Sequence, residues 1–404
     1  MAPPRHQYRR RRIKDAHQKD HKPARPFSWV HFIASYFTRI LPRSLIASIM
    51  APIPPPHLPR LITYYQTHHT PSGDPISILP LLQHSPVHLT HVILAAIHIN
   101  EDPNSLTLND HPPSHPRFQT LWAELRILQA SGIKVLGMLG GAAKGSFTRL
   151  DYPSFTPEFE KYYAPLAALI REQSLDGLDL DVEEEMSLGG IIRLIDRLRS
   201  DFGPEFIITL APVAAALLNH QHNLSGFDYE ALEVMRGKEI SWYNTQFYCG
   251  WGDCSNPVMY EMLLVKGWDP EKIVVGLVTN PENGGGFVPF EVLGNVIPLL
   301  AGRHPRFGGV MGWEYFNSLP GGRERPWEWA ELMGGYLRGR RSVDDQGLKR
   351  AEEDVKRLRE QNAEHERKKG STDLDAEDGD EVQVPVPKDF EYYSDGLLED
   401  QDSS

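Results

Sequence analysis

Cysteine is nearly missing from this sequence: two residues in 404 cannot make a disulfide framework. Both sit in CGWGDC, as Cys249 and Cys254, and read as ordinary loop thiols. A local bridge would need an oxidising compartment, and a metal would need ligands that this loop does not supply. Elsewhere no His/Cys cluster has ligand spacing, and the adjacent pair His68 and His69 reads as loop surface, so neither a metal nor an organic cofactor is indicated. A clean membrane-length apolar run is also lacking, because the best stretch, residues 27–50, is interrupted by His31, Arg39, Pro42 and Arg43. Neither GxGxxG nor GxxxxGKS follows the first apolar run beyond residue 60, which removes the usual dinucleotide and phosphate-loop signatures.

Charge of one sign is scarce in the middle of the chain and abundant at its ends. The net charge of −12 combines a basic start, nine Lys/Arg against Asp15 and Asp20 in residues 1–25, with an acidic end, twelve Asp/Glu against Lys388 in residues 371–404. The run around Arg9 to Arg12 reads as a short tail, and no nucleic-acid partner is expected. Residues 1–50 are thus a basic then apolar extension, expected to be poorly ordered. As a secretory signal its charged lead is long and its apolar part broken; as an organelle presequence it is Arg-rich with few acids. Localisation is left open between cytoplasmic, secreted and organellar, with the first of these preferred, and Met50 is an alternative start. Residues 51–59 form a Pro-rich linker, 341–370 a charged helix with too few apolar heptad positions for a coiled coil, and 371–404 an acidic, disordered tail. The oligomeric state leaves no mark on the sequence.

With 40% hydrophobic residues, the chain can bury one core of roughly 250–300 residues. Between residues 60 and 340 short apolar runs alternate with amphipathic stretches. The expected strands are residues 60–66, 91–99, 134–140, 175–183, 206–212, 242–249, 272–280 and 308–316. Stretches such as RFQTLWAELRILQASG and GGIIRLIDRLRSDFG repeat their apolar residues at three and four, as helices do. Eight strand and helix repeats in this length predict an α/β fold of one closed (β/α)8 barrel, a TIM barrel, flanked by disordered termini. An open doubly wound sheet is the other architecture this pattern allows.

The fourth expected strand, LDGLDLDVE, carries acids at every second position. Side chains alternate across a strand, so Leu178, Leu180 and Val182 should face the helices while Asp179, Asp181 and Glu183 face the lumen. Barrel interiors are normally filled by Val, Ile and Leu, so a ladder of acids is poorly explained as packing or as a row of salt bridges. Like charges this close and buried keep at least one carboxyl protonated, with the others hydrogen-bonded. Glu183 falls at the C-terminal end of its strand, the face on which barrel enzymes build their sites. The following Glu184 and Glu185 read as solvent-facing loop residues.

A protonated carboxyl beside an ionised one is suited to general acid catalysis on a glycosidic bond. Neighbours on one strand face stand about 6.6–6.8 Å apart and approach from one side, so Asp181 is badly placed to attack an anomeric carbon opposite Glu183. A 2-acetamido group on the sugar would serve instead, its carbonyl oxygen closing on that carbon while Asp181 holds the amide nitrogen.

Residues 176–183, DGLDLDVE, resemble in full the DGxDxDxE signature of glycoside hydrolase family 18, the chitinases and endo-β-N-acetylglucosaminidases. The resemblance implies Glu183 as proton donor, Asp181 as the acetamido-orienting residue and Asp179 as its support. TQFYCG resembles the sixth-strand QFY of the class III-type chitinases, which implies Gln246 and Tyr248 in the site, the tyrosine hydroxyl on the N-acetyl oxygen. Alternation agrees, since both share one face. GVMGW resembles the last-strand segment whose tryptophan, here Trp313, floors the pocket for the reacting sugar, and GLVTNPENGGGF resembles the seventh-strand loop of that subgroup. Tyr64 on the first strand is a further subsite candidate. The function implied is a retaining, endo-acting hydrolase of β-1,4 bonds beside N-acetylglucosamine, with chitin or chito-oligosaccharides as partner. Alternatives are an endo-β-N-acetylglucosaminidase on N-glycan cores and an inert chitin-binding barrel.

Two departures stand out. The family's third-strand SxGG appears here as Met138-Leu139-Gly140-Gly141, so a serine that often supports the lower carboxylate is absent. About thirty residues separate the seventh and eighth strands, which leaves no room for the α+β insertion that deepens the cleft in many relatives and implies an open groove.

Overall fold

The computed structural model describes residues 58–84 and 87–338. The readings of residues 1–50, of most of the linker and of residues 341–404 fall outside them.

All eight expected strands form, trimmed by a few residues where the backbone leaves the hydrogen-bonded ladder. They are β1 (Arg60–Tyr65), β2 (His91–His98), β4 (Lys134–Gly140), β5 (Gly177–Asp181), β6 (Ile207–Leu210), β7 (Trp242–Gln246), β8 (Ile273–Val278) and β9 (Gly309–Trp313). The two-residue β3 (Thr107–Leu108) pairs antiparallel with β2 outside the ring. Every other pairing is parallel, and β1 pairs with both β2 and β9, which closes the barrel and excludes the open sheet.

Each barrel strand leads to a helix. In chain order these are α1 (Pro80–Gln83), α2 (Gln119–Ala130), α3 (Pro157–Gln173), α4 (Leu188–Phe202), α5 (Ala214–Leu218), α6 (Tyr229–Arg236), α7 (Val258–Lys266), α8 (Phe290–Arg303) and α9 (Trp327–Leu337). In α4 the three-and-four spacing buries Ile191, Ile192, Leu194, Ile195 and Leu198. Each such side chain contributes roughly 1.5–3 kcal/mol of burial. The helix starts where Ser187 Oγ accepts from the Gly190 N–H at 2.9 Å, and it stops at Gly203. Its start fixes where the chain leaves the acidic stretch that precedes it.

The lumen is filled from alternate strand positions by Ile62, Ile93, Leu136, Trp242, Val274 and Met311, among others, as one buried cluster. Above this floor the apolar filling gives way to polar side chains. Between β8 and β9 residues 279–308 hold a short 3-10 turn, Pro281–Asn283, and α8, with no inserted domain.

Candidate active site

Asp179 is wholly buried, and its carboxylate accepts hydrogen bonds from three strands. Tyr64 Oη donates to Oδ2 at 2.6 Å, Asn244 Nδ2 to Oδ1 at 3.0 Å, and Thr209 Oγ1 to the same oxygen. Neither β1 nor β7 is a neighbour of β5, so these bonds can only cross the lumen. The inward direction expected for Asp179 is therefore observed.

Asp181, 6% exposed, lies one step higher, and Glu183 lies half-buried just past the end of β5. Gln246 joins them: its Nε2 reaches Glu183 Oε1 at 3.1 Å and Asp181 Oδ1 at 3.4 Å, and is anchored on the Ala211 carbonyl at 3.0 Å. Burial raises all three acids. Asp181 is pushed well above the usual carboxyl range, by burial first and then by the charges of Glu183 and Asp179. For Glu183 the Gln246 hydrogen bond partly opposes the effect of burial.

Tyr248 is buried, and burial together with Asp181 and Glu183 lifts its hydroxyl well above the usual range, so it remains a donor. Trp313 is half-buried at the end of β9, packed on the luminal cluster with its ring 5.4 Å from that of Tyr64, edge to face. Tyr64, the further subsite candidate, sits beside Trp313. It is 1% exposed, and its hydroxyl is spent on Asp179.

Two readings are corrected. Glu184 does not face solvent: it is 6% exposed, and its carboxylate accepts from the Gly145 N–H and the Phe147 N–H, both at 2.7 Å, and from Thr148 Oγ1 at 2.8 Å. The loop after β4 offers unpaired amides there, and burying a carboxylate that satisfies them costs less than leaving them bare. Glu185 is exposed as expected. His68 is 3% exposed, packed on Tyr65 and Phe118, and burial pushes its imidazole down to about 3, so it stays neutral; only His69 is partly open. Both cysteines are free, and burial pushes the Cys254 thiol up to about 12.

Thr209 and Asn244 were not picked out from the sequence, although the signal was present. The alternation that pairs Gln246 with Tyr248 also places Trp242 and Asn244 inward, and Thr209 is a polar residue inside an apolar strand. Between them, with Tyr64, they supply the three hydrogen bonds to Asp179. Met138, at the first position of the altered Met138-Leu139-Gly140-Gly141 motif, lies beside Asp179 in the register of β4 and β5. Its methyl group lies 2.7 Å from where a Cβ on Gly141 would fall, and Asp181 Oδ2 is 3.7 Å from the same point. Gly141 has φ +84°, a left-handed conformation that glycine adopts without strain and that any side chain would disfavour.

A closed parallel barrel whose lumen opens into a row of acids at the C-terminal mouth places them on the face where barrel enzymes build their active sites. The chain belongs to the glycosyl hydrolases family 18, whose family model matches residues 60–281. It is similar to a fungal endo-β-N-acetylglucosaminidase of that family, with 50% identity and a TM-score of 0.68 over 70% of this chain and 99% of that one. It is also similar to the chitinase ChiC of Aspergillus fumigatus, with 57% identity and a TM-score of 0.63 over 68% of this chain and 98% of that one. Chitinase 2 of Rhizopus oligosporus is 28% identical over 205 residues, 48% of this chain and 36% of that protein. The chain thus spans little more than a third of the length of this curated relative.

Proposed function

We propose that this chain hydrolyses β-1,4 bonds beside N-acetylglucosamine in chitin or chito-oligosaccharides, with retention and in endo fashion. Glu183 is the general acid. It gives its proton to the leaving glycosidic oxygen while the acetamido carbonyl oxygen of the sugar attacks the anomeric carbon, forming a cyclic oxazolinium. Asp181 accepts from the acetamido N–H and stabilises its developing positive charge, and the Tyr248 hydroxyl donates to the acetamido oxygen. Water then opens the ring as Glu183, now a carboxylate, takes its proton. Trp313 offers an apolar face to the sugar.

The observation that carries this reading is the single amide of Gln246 spanning Asp181 and Glu183 at 3.4 and 3.1 Å, which ties the orienting group to the acid. The lack of an insertion between β8 and β9 supports an open groove and endo cleavage. The endo-β-N-acetylglucosaminidase reading draws on the 50% identity to a fungal protein so described, and chitin on the 57% identity to a chitinase. Chito-oligosaccharides and a high-mannose glycopeptide, digested side by side and read by mass spectrometry, separate them. Shortened oligosaccharides are expected. Glycan released from the peptide alone would replace chitin by the N-glycan core, and binding of chito-oligosaccharides with no product from either substrate would leave a chitin-binding barrel.

A further inference from the structure

Trp242 is buried at the base of the lumen, and its Nε1–H donates to Asn244 Oδ1 at 2.9 Å. An indole nitrogen can only donate, so the edge of the amide that faces it has to be the carbonyl oxygen. The NH2 group is thereby turned toward Asp179 Oδ1, at 3.0 Å, with Thr209 Oγ1 at 3.5 Å. A threonine hydroxyl that accepts from this NH2 is left to give its own proton to Asp179, as the geometry has it. With Tyr64 donating from β1, every hydrogen-bond partner of Asp179 among the described residues is a donor.

A carboxyl that accepts from an amide NH2, which can only donate, and from two hydroxyls that give their protons to it is stabilised as the anion. Asp181, next along the strand, has one long bond from Gln246. We propose that Trp242 and Asn244 are positioning residues that set where the proton of the acidic row resides: the indole orients the amide, the amide holds Asp179 as an acceptor, and the proton is left to Asp181 and Glu183. This rests on the function proposed above, because it assigns a purpose to the same carboxylates.

The surroundings agree. Burial raises both aspartates, Asp181 the further, while the three donors pull Asp179 back. The titratable groups facing Asp179 are Tyr64 from β1, Asp181 and Glu183 from its own segment, and Tyr229 and Tyr248 beyond them; Met138 on β4 brings no charge. On the far side of Trp242 the Arg60 guanidinium lies 4.4 Å above the ring and the His91 imidazole 4.7 Å from it, edge to face, so the indole is clamped from below. Burial holds His91 neutral, pushed down to about 3.

Trp242→Phe keeps a ring in the clamp and removes the donor, while Asn244→Leu keeps bulk and removes the amide. Losing a donor makes the Asp179 anion less stable, so Asp179 protonates at higher pH. The acidic limb of kcat/KM on chito-oligosaccharides should move up by about one pH unit in each variant. Adding Trp242→Phe to Asn244→Leu should move it no further, since the indole acts through the amide. A merely structural role would lower the melting temperature and leave the limb in place. An unmoved limb in folded Asn244→Leu, or shifts that add in the double variant, would overturn the proposal, and Asn244→Leu decides it alone if Trp242→Phe does not fold. Should the parent protein cleave neither substrate, the functional reading falls by itself. The relay is then read by infrared titration of the carboxyl band in parent and Asn244→Leu, where an upward shift supports it and identical titrations sink it.

Discussion

The hydroxyl of Tyr64 and the carboxylate of Asp179 meet at 2.6 Å inside the barrel, although 115 residues and two intervening strands separate them. Replacing Tyr64 by Phe removes this charge-assisted bond while Thr209 and Asn244 remain. Bonds of that kind contribute about 1.5–3 kcal/mol, so kcat should fall about tenfold or more with KM within about twofold. Steady-state kinetics at equal folded concentration check it. Parental kcat would mean that Asp179 needs no support from β1.

On the mechanism proposed here, Glu183→Gln removes the general acid while the Gln246 contact and the volume are kept. Hydrolysis of chito-oligosaccharides should drop by at least ~100-fold, the low end for general acid catalysis, with binding retained. Calorimetric binding beside product analysis tests this, and turnover at the parental rate would remove Glu183 from its role.

Asp181 should cost stability at neutral pH. Burial, then Glu183 and Asp179, hold its folded carboxyl well above the unfolded value, so the folded chain keeps a proton that the unfolded chain has lost. Stability therefore falls as pH rises through the window between the unfolded value of about 4 and the raised folded one, and stays lower above it. Asp181→Asn removes that loss. Its melting temperature should exceed the parent's at neutral pH by roughly 2 °C or more, the gain shrinking as pH falls toward about 4, while activity collapses. Melting curves across pH decide it, and a variant less stable than the parent at pH 7 would contradict the sign.

Glu184, by contrast, should be structural. Glu184→Ala leaves the Gly145 and Phe147 amides without their acceptor, at about 1–3 kcal/mol each. A fall of several degrees in melting temperature is expected, with Glu184→Gln falling less because it keeps one acceptor oxygen. Equal melting temperatures for Ala and Gln would show that water replaces the carboxylate freely.

Much of this site was legible in the chain itself. Period-two spacing places Asp179, Asp181 and Glu183 on one face, and Gln246 with Tyr248 on another, because the pleat of a strand dictates side-chain direction locally. Strand and helix repetition likewise carried the barrel, since apolar periodicity is also a local property. Local pattern could not say which partners answer an inward acid. Glu184 reads as a solvent-facing residue, and the bond from Tyr64 to Asp179 is invisible, because the groups that satisfy them, the amides after β4 and the inward acid of β5, come from other parts of the chain.

What the sequence determined alone was the set of eight strands, the acidic row and the short β8–β9 connection. Tertiary structure decided the partners of the acids: closure brings Tyr64, Thr209 and Asn244 from three strands onto one carboxylate and a single Gln246 amide across the other two. The reason is physical. A hydrogen bond depends on ångström-scale approach and on which partner donates, and across a barrel lumen those are set by register and closure rather than by neighbours in the chain.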